Sequence, residues 1–198
     1  MARPRTTTIA LALLLLGCQR PIPVDEPPLE VGQATAPTEA TVQEPTYSAR
    51  VVGASDGDTI KVLVGDVQKR IRLEGIDTPE LGGQPFGKAA KEFTARLCFG
   101  KEVHVFVSGQ DRYKRDLAFV LVGEKNINQE LLSAGLAWHF KRYNKDKELS
   151  ALEVEARRLK RGLWAEPNPI PPWDWRKSKK EKKVNADADI RQAAETSP

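Results

Sequence analysis

The fold is decided by the stretch TIKVLVGDVQKRIRLEGI, which runs from Thr59 to Ile76. Apolar and polar residues roughly alternate over Thr59–Val64 and again over Val67–Ile76, and a period of two is typical of half-buried strands. Val64-Gly65-Asp66-Val67 lies between them and is typical of a tight hairpin turn, because glycine and aspartate readily adopt the backbone angles of such turns. The stretch therefore predicts a β-hairpin.

Three further strands are predicted on either side of this hairpin, at Ala49–Ala54, Val103–Val107 and Leu117–Val122. Three helices are expected from apolar stripes that repeat every three or four residues and end at glycines. They begin near Pro85, at Asn128 as N-cap and near Leu149, and they end near Gly100, Gly135 and Gly162. The order βββαββαα predicts an α+β, mainly β fold: a five-stranded OB-fold barrel with three packed helices.

The N-terminal residues 1–17 predict an export signal. A basic start precedes the apolar run Ile9–Leu16, which is too short to span a bilayer. The run ends in Leu-Leu-Gly-Cys18, which resembles the bacterial lipobox, in which the signal is cut before a cysteine that is then lipidated. An ordinary signal peptide or an uncleaved anchor are the alternatives. We expect a chain that is exported and lipid-anchored at Cys18, and Gln19 after it favours the outer membrane, on its periplasmic or outer surface.

The chain divides into four parts by composition. After the signal, residues 18–45 hold six prolines and, counted from Gln19, one basic against five acidic residues, which predicts a disordered tether. The folded domain is expected over residues 46–176. Residues 177–198 are rich in lysine and are expected to be a disordered tail, with an auxiliary contact to nucleic acid as the alternative.

The net charge and the two cysteines exclude few classes of function. The 198 residues carry a formal net charge of +4, and so small an excess is typical of an ordinary soluble surface. Of the two cysteines, Cys18 is expected to be lipidated and Cys98 to be a small core residue. The sequence has no cysteine pair with metal-site spacing.

Three charged motifs interrupt the predicted strands: DGDT at 56–59, RIRLEGIDTPE at 70–80 and DRYKRD at 111–116. Each alone has an ordinary explanation. Asp-Gly is a common turn, Thr78 and Glu80 can cap a following helix, Arg72 can face solvent, and the third motif can be a charged loop.

Together the three motifs contain the parts that phosphodiester hydrolysis requires. Asp58 and Asp77 lie at the ends of neighbouring strands and offer the oxygen ligands that a hard divalent cation needs. Arg72 and Arg115 carry guanidinium groups that can clamp phosphate oxygens bidentately. Glu80 can position or deprotonate the attacking water.

These motifs resemble those of the thermonuclease (staphylococcal nuclease) family, an OB-fold with a Ca²⁺ site. The resemblance runs from about Ser48 to Tyr143 and more loosely to Trp175. It rests on four motifs in order: DGDT at 56–59, RLxxIDTPE at 72–80, DxYxR at 111–115 and GLA at 135–137.

The resemblance implies a role for each residue of the site. Ca²⁺ would be bound by the side chains of Asp58 and Asp77 and the backbone carbonyl of Thr78, with Asp56 behind them. The catalytic set would be Arg72, Glu80 and Arg115, the two arginines on the scissile phosphate and the glutamate as general base. The substrate contacts would be Arg112, Tyr113 and Tyr143.

The implied reaction is Ca²⁺-dependent hydrolysis of DNA and RNA to 3′-phosphate ends by a monomer. The segment between Glu80 and the next helix is only Leu81–Gln84, shorter than in the best-known member, so a basic segment that faces the substrate there is absent. The competing hypothesis is an OB-fold envelope lipoprotein that binds nucleic acid without cutting it, and a scaffold lipoprotein is a weaker one.

Overall fold

The computed structural model describes residues 44–195. The predicted signal, the lipidation site Cys18 and most of the predicted tether therefore lie outside the described residues. Within the described range, no helix is both long enough and apolar enough to cross a membrane.

Five strands form a closed barrel, and three two-residue strands flank it. The strands are β1 Tyr47–Ala54, β2 Thr59–Val64, β3 Val67–Leu73, β4 Ile76–Asp77, β5 Glu102–Gln110, β6 Asp116–Val122, β7 Lys125–Asn126 and β8 Trp138–His139. The main sheet has the order β3-β2-β1-β5-β6-β7, and a parallel pairing of β3 with β6 closes the barrel. This mainly β architecture with five barrel strands confirms the predicted OB-fold class.

The barrel interior is filled by every second residue of its strands, as the period of two predicts. Val51, Ile60, Val62, Ile71, Leu73, Val103, Val105, Ala118 and Val120 are all at most 1% exposed. Irregular pairings in β1 between Val51 and Gly53, and in β5 between Val107 and Gly109, are typical of the bulges that bend strands around a barrel. Cys98 is fully buried against this core, as predicted.

Four helices pack outside the barrel or extend from it. They are α1 Gly87–Cys98, α2 Ile127–Ser133, α3 Lys147–Arg158 and α4 Pro172–Glu195, with a 3₁₀ turn at Gly162–Ala165. The first three correspond to the three predicted helices, and α4 is additional.

The N-cap of α2 differs from the prediction. Asn126 caps the helix, because its side chain accepts hydrogen bonds from the backbone of Asn128 and Gln129. Asn128 is fully buried inside the first turn, and its amide donates to the carbonyl of Glu74 over 2.8 Å. Asn128 therefore fastens α2 to the barrel rather than capping it.

The lysine-rich tail also differs from the prediction of disorder. Residues 172–195 form one helix, α4, and the residues from Lys179 to Ala188 are all exposed along it. The composition correctly predicted that the side chains of this segment are exposed. Lysine, glutamate and alanine are also good helix formers, so an exposed segment of this composition can be helical rather than disordered. Proline at the first helical position suits a helix start.

Candidate active site

One cleft gathers all the predicted site residues of the described range. It has a volume of about 820 Å³. Its lining includes Asp56, Asp58, Arg72, Asp77, Thr78, Glu80, Arg112, Tyr113, Arg115 and Tyr143. The three charged motifs, far apart in sequence, therefore share one concave surface.

The loop between β1 and β2 places Asp58 against the start of the next motif. Asp56 accepts the backbone N–H of Asp58 over 3.1 Å, which tightens the loop into an Asx turn. Gly57 lets the loop approach α1, because a Cβ there would lie 2.7 Å from both Ala90 and Thr78. The carboxylate of Asp58 is buried and accepts the N–H and the hydroxyl of Thr78 over 2.7 and 2.9 Å.

Asp77 is positioned by a break in the predicted third strand. The long strand ends at Leu73, Gly75 turns the chain with a φ of +75°, and Ile76–Asp77 pairs instead with Trp138–His139. The side chain of Asp77 is 1% exposed. The turn thus directs a buried carboxylate toward Asp58.

Arg72 joins the two aspartates. Strand pairing sets Arg72 opposite Thr59, next to Asp58, and its guanidinium forms ion pairs with Asp58 and with Asp77, the latter at 2.8 Å. Its side chain is 15% exposed, so the alternative of a solvent-facing arginine is wrong. Burial lowers the pKa of Arg72, and the charges of Asp77 and Asp56 oppose that change.

Arg115 is held by a residue to which no role was assigned from sequence, Asp111. The carboxylate of Asp111 accepts the Nε–H of Arg115 over 2.7 Å and pairs with its Nη2 at 2.6 Å. Arg115 also donates to the hydroxyl of Thr59 over 3.3 Å, beside Asp58. Burial raises the pKa of Asp111, but hydrogen bonds from Arg115 and Tyr113 outweigh it and keep that pKa below its ordinary value.

Two exposed tyrosines stand on the lining of the cleft. Tyr113 is 59% exposed, with the guanidinium of Arg112 4.8 Å from its ring centre. Tyr143 is 72% exposed and lies 4.7 Å from the ring of Phe140, which also lines the cleft. Flat exposed rings beside guanidinium groups form a surface on which bases can stack.

Glu80 lies on the short segment before α1 and is braced through Gln84. The amide of Gln84 accepts the backbone N–H of Glu80 over 2.9 Å and donates to the carbonyl of Ile170 over 2.8 Å. The side chain of Glu80 is 39% exposed. A half-exposed carboxylate on a braced backbone can reach a water molecule in the cleft.

Arg176 was not predicted as part of this site. It lies in α4, and its guanidinium pairs with Asp77 at 2.7 Å and with Glu80 at 2.6 Å. The predicted folded domain ends at this residue, and disorder is predicted after it. The sequence feature that could have indicated this contact is the run of prolines and tryptophans just before Arg176. Such residues pack a segment onto a domain and so fix the position of the residues that follow.

Comparison with known proteins identifies the family. A family model described as "Staphylococcal nuclease homologue" matches residues 70–166. An "Uncharacterized endonuclease" of Escherichia coli is 44% identical over 131 residues, which cover 66% of this chain and 85% of that protein. This chain belongs to the staphylococcal nuclease family.

Other members of the family are similar over comparable or shorter spans. A "Micrococcal nuclease" of Shigella flexneri is 41% identical over 145 residues, 68% of this chain and 83% of that protein. The "Staphylococcal-like nuclease CAN1" of Arabidopsis thaliana is 43% identical over 111 residues, 56% of this chain and 34% of its own length. Asp56 and Asp58 precede the residues that the family model matches, yet both line the same cleft.

The residues proposed to bind metal provide oxygen donors. Two buried carboxylates, Asp58 and Asp77, and the backbone of Thr78 lie together, and a set of oxygen donors suits a hard cation such as Ca²⁺. Within residues 44–195 no three histidine, cysteine, aspartate or glutamate side chains are grouped so as to hold a metal ion. Instead the carboxylates contact the guanidinium groups of Arg72 and Arg176.

Proposed function

We propose that this chain is a Ca²⁺-dependent nuclease that hydrolyses phosphodiester bonds of DNA and RNA and leaves 3′-phosphate ends. The observation that carries the proposal is the convergence of Arg72 and Arg115 beside two buried carboxylates in one cleft. Membership in the staphylococcal nuclease family and relatives that are named as nucleases support it.

The side chains divide the work of such a reaction. Asp58, Asp77 and the carbonyl of Thr78 would hold the cation, which when bound supplies positive charge for phosphate oxygens. Arg72 and Arg115, each fixed by carboxylates, present N–H groups to the charge that develops on the phosphate.

Proton transfer and substrate alignment use the remaining residues. Glu80 accepts a proton from the attacking water, since its carboxylate is half exposed in the cleft. Tyr113 and Tyr143 stack against bases of the bound strand, with Arg112 on the backbone, since all three line the cleft. This arrangement favours strands whose bases are unpaired, because stacking requires an open base face.

The test is cleavage of plasmid DNA and of a labelled RNA with Ca²⁺ and with excess EGTA. We expect cleavage in Ca²⁺ alone, and products whose 3′ ends accept a ligated nucleotide only after phosphatase treatment. Arg72→Ala and Glu80→Gln abolish cleavage, whereas Lys88→Ala, an exposed change on α1, does not. Strand binding without cleavage would favour the OB-fold binding protein instead, and cleavage in EGTA would contradict the role of calcium.

We also propose that the protein is exported and lipid-anchored at Cys18 as a monomer on the outer membrane. The sequence Leu-Leu-Gly-Cys18 and the acidic, proline-rich residues that follow support this proposal. Incorporation of a radiolabelled fatty acid in growing bacteria, lost in Cys18→Ser, is the expected result. Recovery of the unlabelled wild-type chain in the periplasmic fluid would contradict it.

A further inference from the structure

Arg176 contacts the two carboxylates that the proposed mechanism assigns to the metal and to the water. Its Nη2 lies 2.7 Å from Asp77 Oδ2, and its Nη1 lies 2.6 Å from Glu80 Oε1 and 3.3 Å from Asp77 Oδ1. One guanidinium therefore engages both oxygens of Asp77 and one of Glu80. Its own side chain is 45% exposed, so it can leave for solvent.

The helix that carries Arg176 is fixed at its start. Pro172 is buried, and the ring of Trp173 stacks on Phe140 at 5.3 Å and meets Trp138 edge to face at 5.7 Å. These apolar contacts place Arg176, three residues later, over the cleft. The contact with the carboxylates is therefore set by packing as well as by charge.

The carboxylates of the candidate metal site and of Glu80 are almost balanced by the guanidinium groups that contact them, without any metal ion. Asp58, Asp77 and Glu80 are three carboxylates, and Arg72 and Arg176 are two guanidinium groups in contact with them. A guanidinium only donates hydrogen bonds, so it needs the same oxygen lone pairs that a Ca²⁺ ion would need. A cation at Asp77 therefore competes with Arg176, because Asp77 Oδ1 already accepts hydrogen bonds from Arg72 and Arg176 and Oδ2 accepts one from Arg176.

We propose that Arg176 is a built-in counter-ion of the candidate metal site, which holds Asp77 and Glu80 while no divalent cation is bound and is displaced when one binds. The inference rests on the proposed function, since it takes Asp77 as a metal ligand. It makes the position of the Arg176 side chain responsive to the cation, and it makes the apparent Ca²⁺ affinity lower than the carboxylates alone would give.

The test is calorimetric titration of Ca²⁺ into the unchanged chain, Arg176→Gln and Lys180→Gln, without substrate. Glutamine keeps a polar side chain but no charge, and Lys180 is an exposed cation on the same helix. We expect Arg176→Gln to bind Ca²⁺ about tenfold more tightly, because a like charge at contact distance is removed. Lys180→Gln should bind like the unchanged chain.

Tryptophan fluorescence gives a second readout, because Trp173 and Trp175 lie just before Arg176 on the same helix. Ca²⁺ should change the emission of the unchanged chain and change that of Arg176→Gln less, since that variant has no guanidinium contact with Asp77 and Glu80 to lose. Arg176→Lys, which keeps the charge but not the fork of donors, should show an intermediate affinity and guards against a glutamine variant that does not fold.

Two results would overturn the inference. The first leaves the proposed nuclease function intact, and the second contradicts that function as well. Equal or weaker Ca²⁺ binding by Arg176→Gln, with normal binding by the unchanged chain, would leave Arg176 as a structural brace and the proposed nuclease intact. Failure of the unchanged chain to bind Ca²⁺ would overturn both the counter-ion and the calcium-dependent function.

Discussion

At the residue scale, the cleft is organised by arginines that are each held by an acidic partner. Arg72 lies between Asp58 and Asp77, and Arg115 is gripped by Asp111. A guanidinium presents several N–H groups in one plane, so it can keep a carboxylate on one edge while another edge faces a phosphate. The acidic partners therefore orient the planes of the arginines.

Arg72→Lys tests this geometry while keeping the charge. We expect kcat on DNA to fall by about 10²–10³, the usual cost of losing one preorganised donor to a developing charge. The matched control is Arg158→Lys, since Arg158 also pairs with a glutamate but is 66% exposed on α3. Steady-state kinetics with saturating Ca²⁺ measures both, and an undiminished kcat for Arg72→Lys would contradict the role of its planar fork.

At the element scale, the end of α2 and the 3₁₀ turn meet through two glycines. A Cβ at Gly135 would overlap the carbonyl of Arg161, and a Cβ at Gly162 would overlap the carbonyl of Gly135. The backbone N–H of Leu163 donates to the carbonyl of Gly135 over 2.9 Å. The Gly-Leu-Ala motif is thus a packing feature that seats the 3₁₀ turn against the end of α2.

Gly135→Ala should lower the free energy of unfolding by about 2–4 kcal/mol, because it adds both a left-handed alanine and a steric overlap. Gly123→Ala separates the two causes. Gly123 has a similar φ, +58°, with nothing within 4 Å of its Cβ position, so its cost is that of the backbone angle alone, about 1 kcal/mol. Urea denaturation measures both variants, and equal losses would show that the close approach at Gly135 is unimportant.

The seam of the barrel depends on Asp116, at the start of β6. It accepts hydrogen bonds from Tyr47 over 2.7 Å and Gln110 over 2.9 Å, and it pairs with Lys69 at 3.6 Å. One carboxylate therefore links β1, β3 and β5 to β6. Burial raises the pKa of Asp116, but these partners outweigh it and lower that pKa below its ordinary value of 3.8.

A carboxyl group with a lowered pKa stabilises the folded chain above the pKa of the unfolded chain, and the stabilisation is lost as the pH falls through the folded pKa. Asp116→Asn should therefore be less stable than the unchanged chain near neutral pH, with the difference shrinking below about pH 4. Urea denaturation across that range measures it. Asp66→Asn, at the exposed hairpin turn, is the control, and a difference for Asp116→Asn that stays constant with pH would contradict the argument.

At the scale of the whole molecule, the C-terminal segment completes the site from outside the barrel. Trp173 packs on Phe140, Ile170 holds Gln84, and Arg176 reaches Asp77 and Glu80. Residues 179–188 of α4 are exposed, and Lys179 contacts the carbonyl of Gly82. Most of the contacts that pack the C-terminal segment onto the domain therefore come from residues before Lys183.

Chains that end after Lys183 and after Pro171 should behave differently. The first keeps Trp173 and Arg176, and its melting temperature in EGTA should match that of the full chain. The second loses the tryptophan packing, which we expect to cost about 2–4 kcal/mol of unfolding free energy. Thermal unfolding followed by circular dichroism measures both, and equal melting temperatures for the two shortened chains would contradict a bracing role for residues 172–176.

The sequence predicted the barrel better than the surroundings of the cleft, for physical reasons. Strands such as Thr59–Val64 alternate in polarity because one face is buried, and that pattern is local. The break after Leu73 and the contact of Arg176 with Asp77 depend on partners far away in the chain, at Trp138 and Phe140. No local pattern encodes such partners, so a strand was extended too far and a helix was taken for a disordered tail.

The parallel pairing of β3 with β6 closes the barrel, and this closure affects how closely copies of the protein can lie without aggregating. Because the barrel is closed, its strands form their backbone hydrogen bonds with one another. The two-residue strand β7 also pairs with β6. Strands with unpaired edges can pair edge to edge with strands of neighbouring molecules, and this pairing leads to aggregation. Barrels held close together can therefore stay separate particles, which would suit the lipid-anchored protein that we propose.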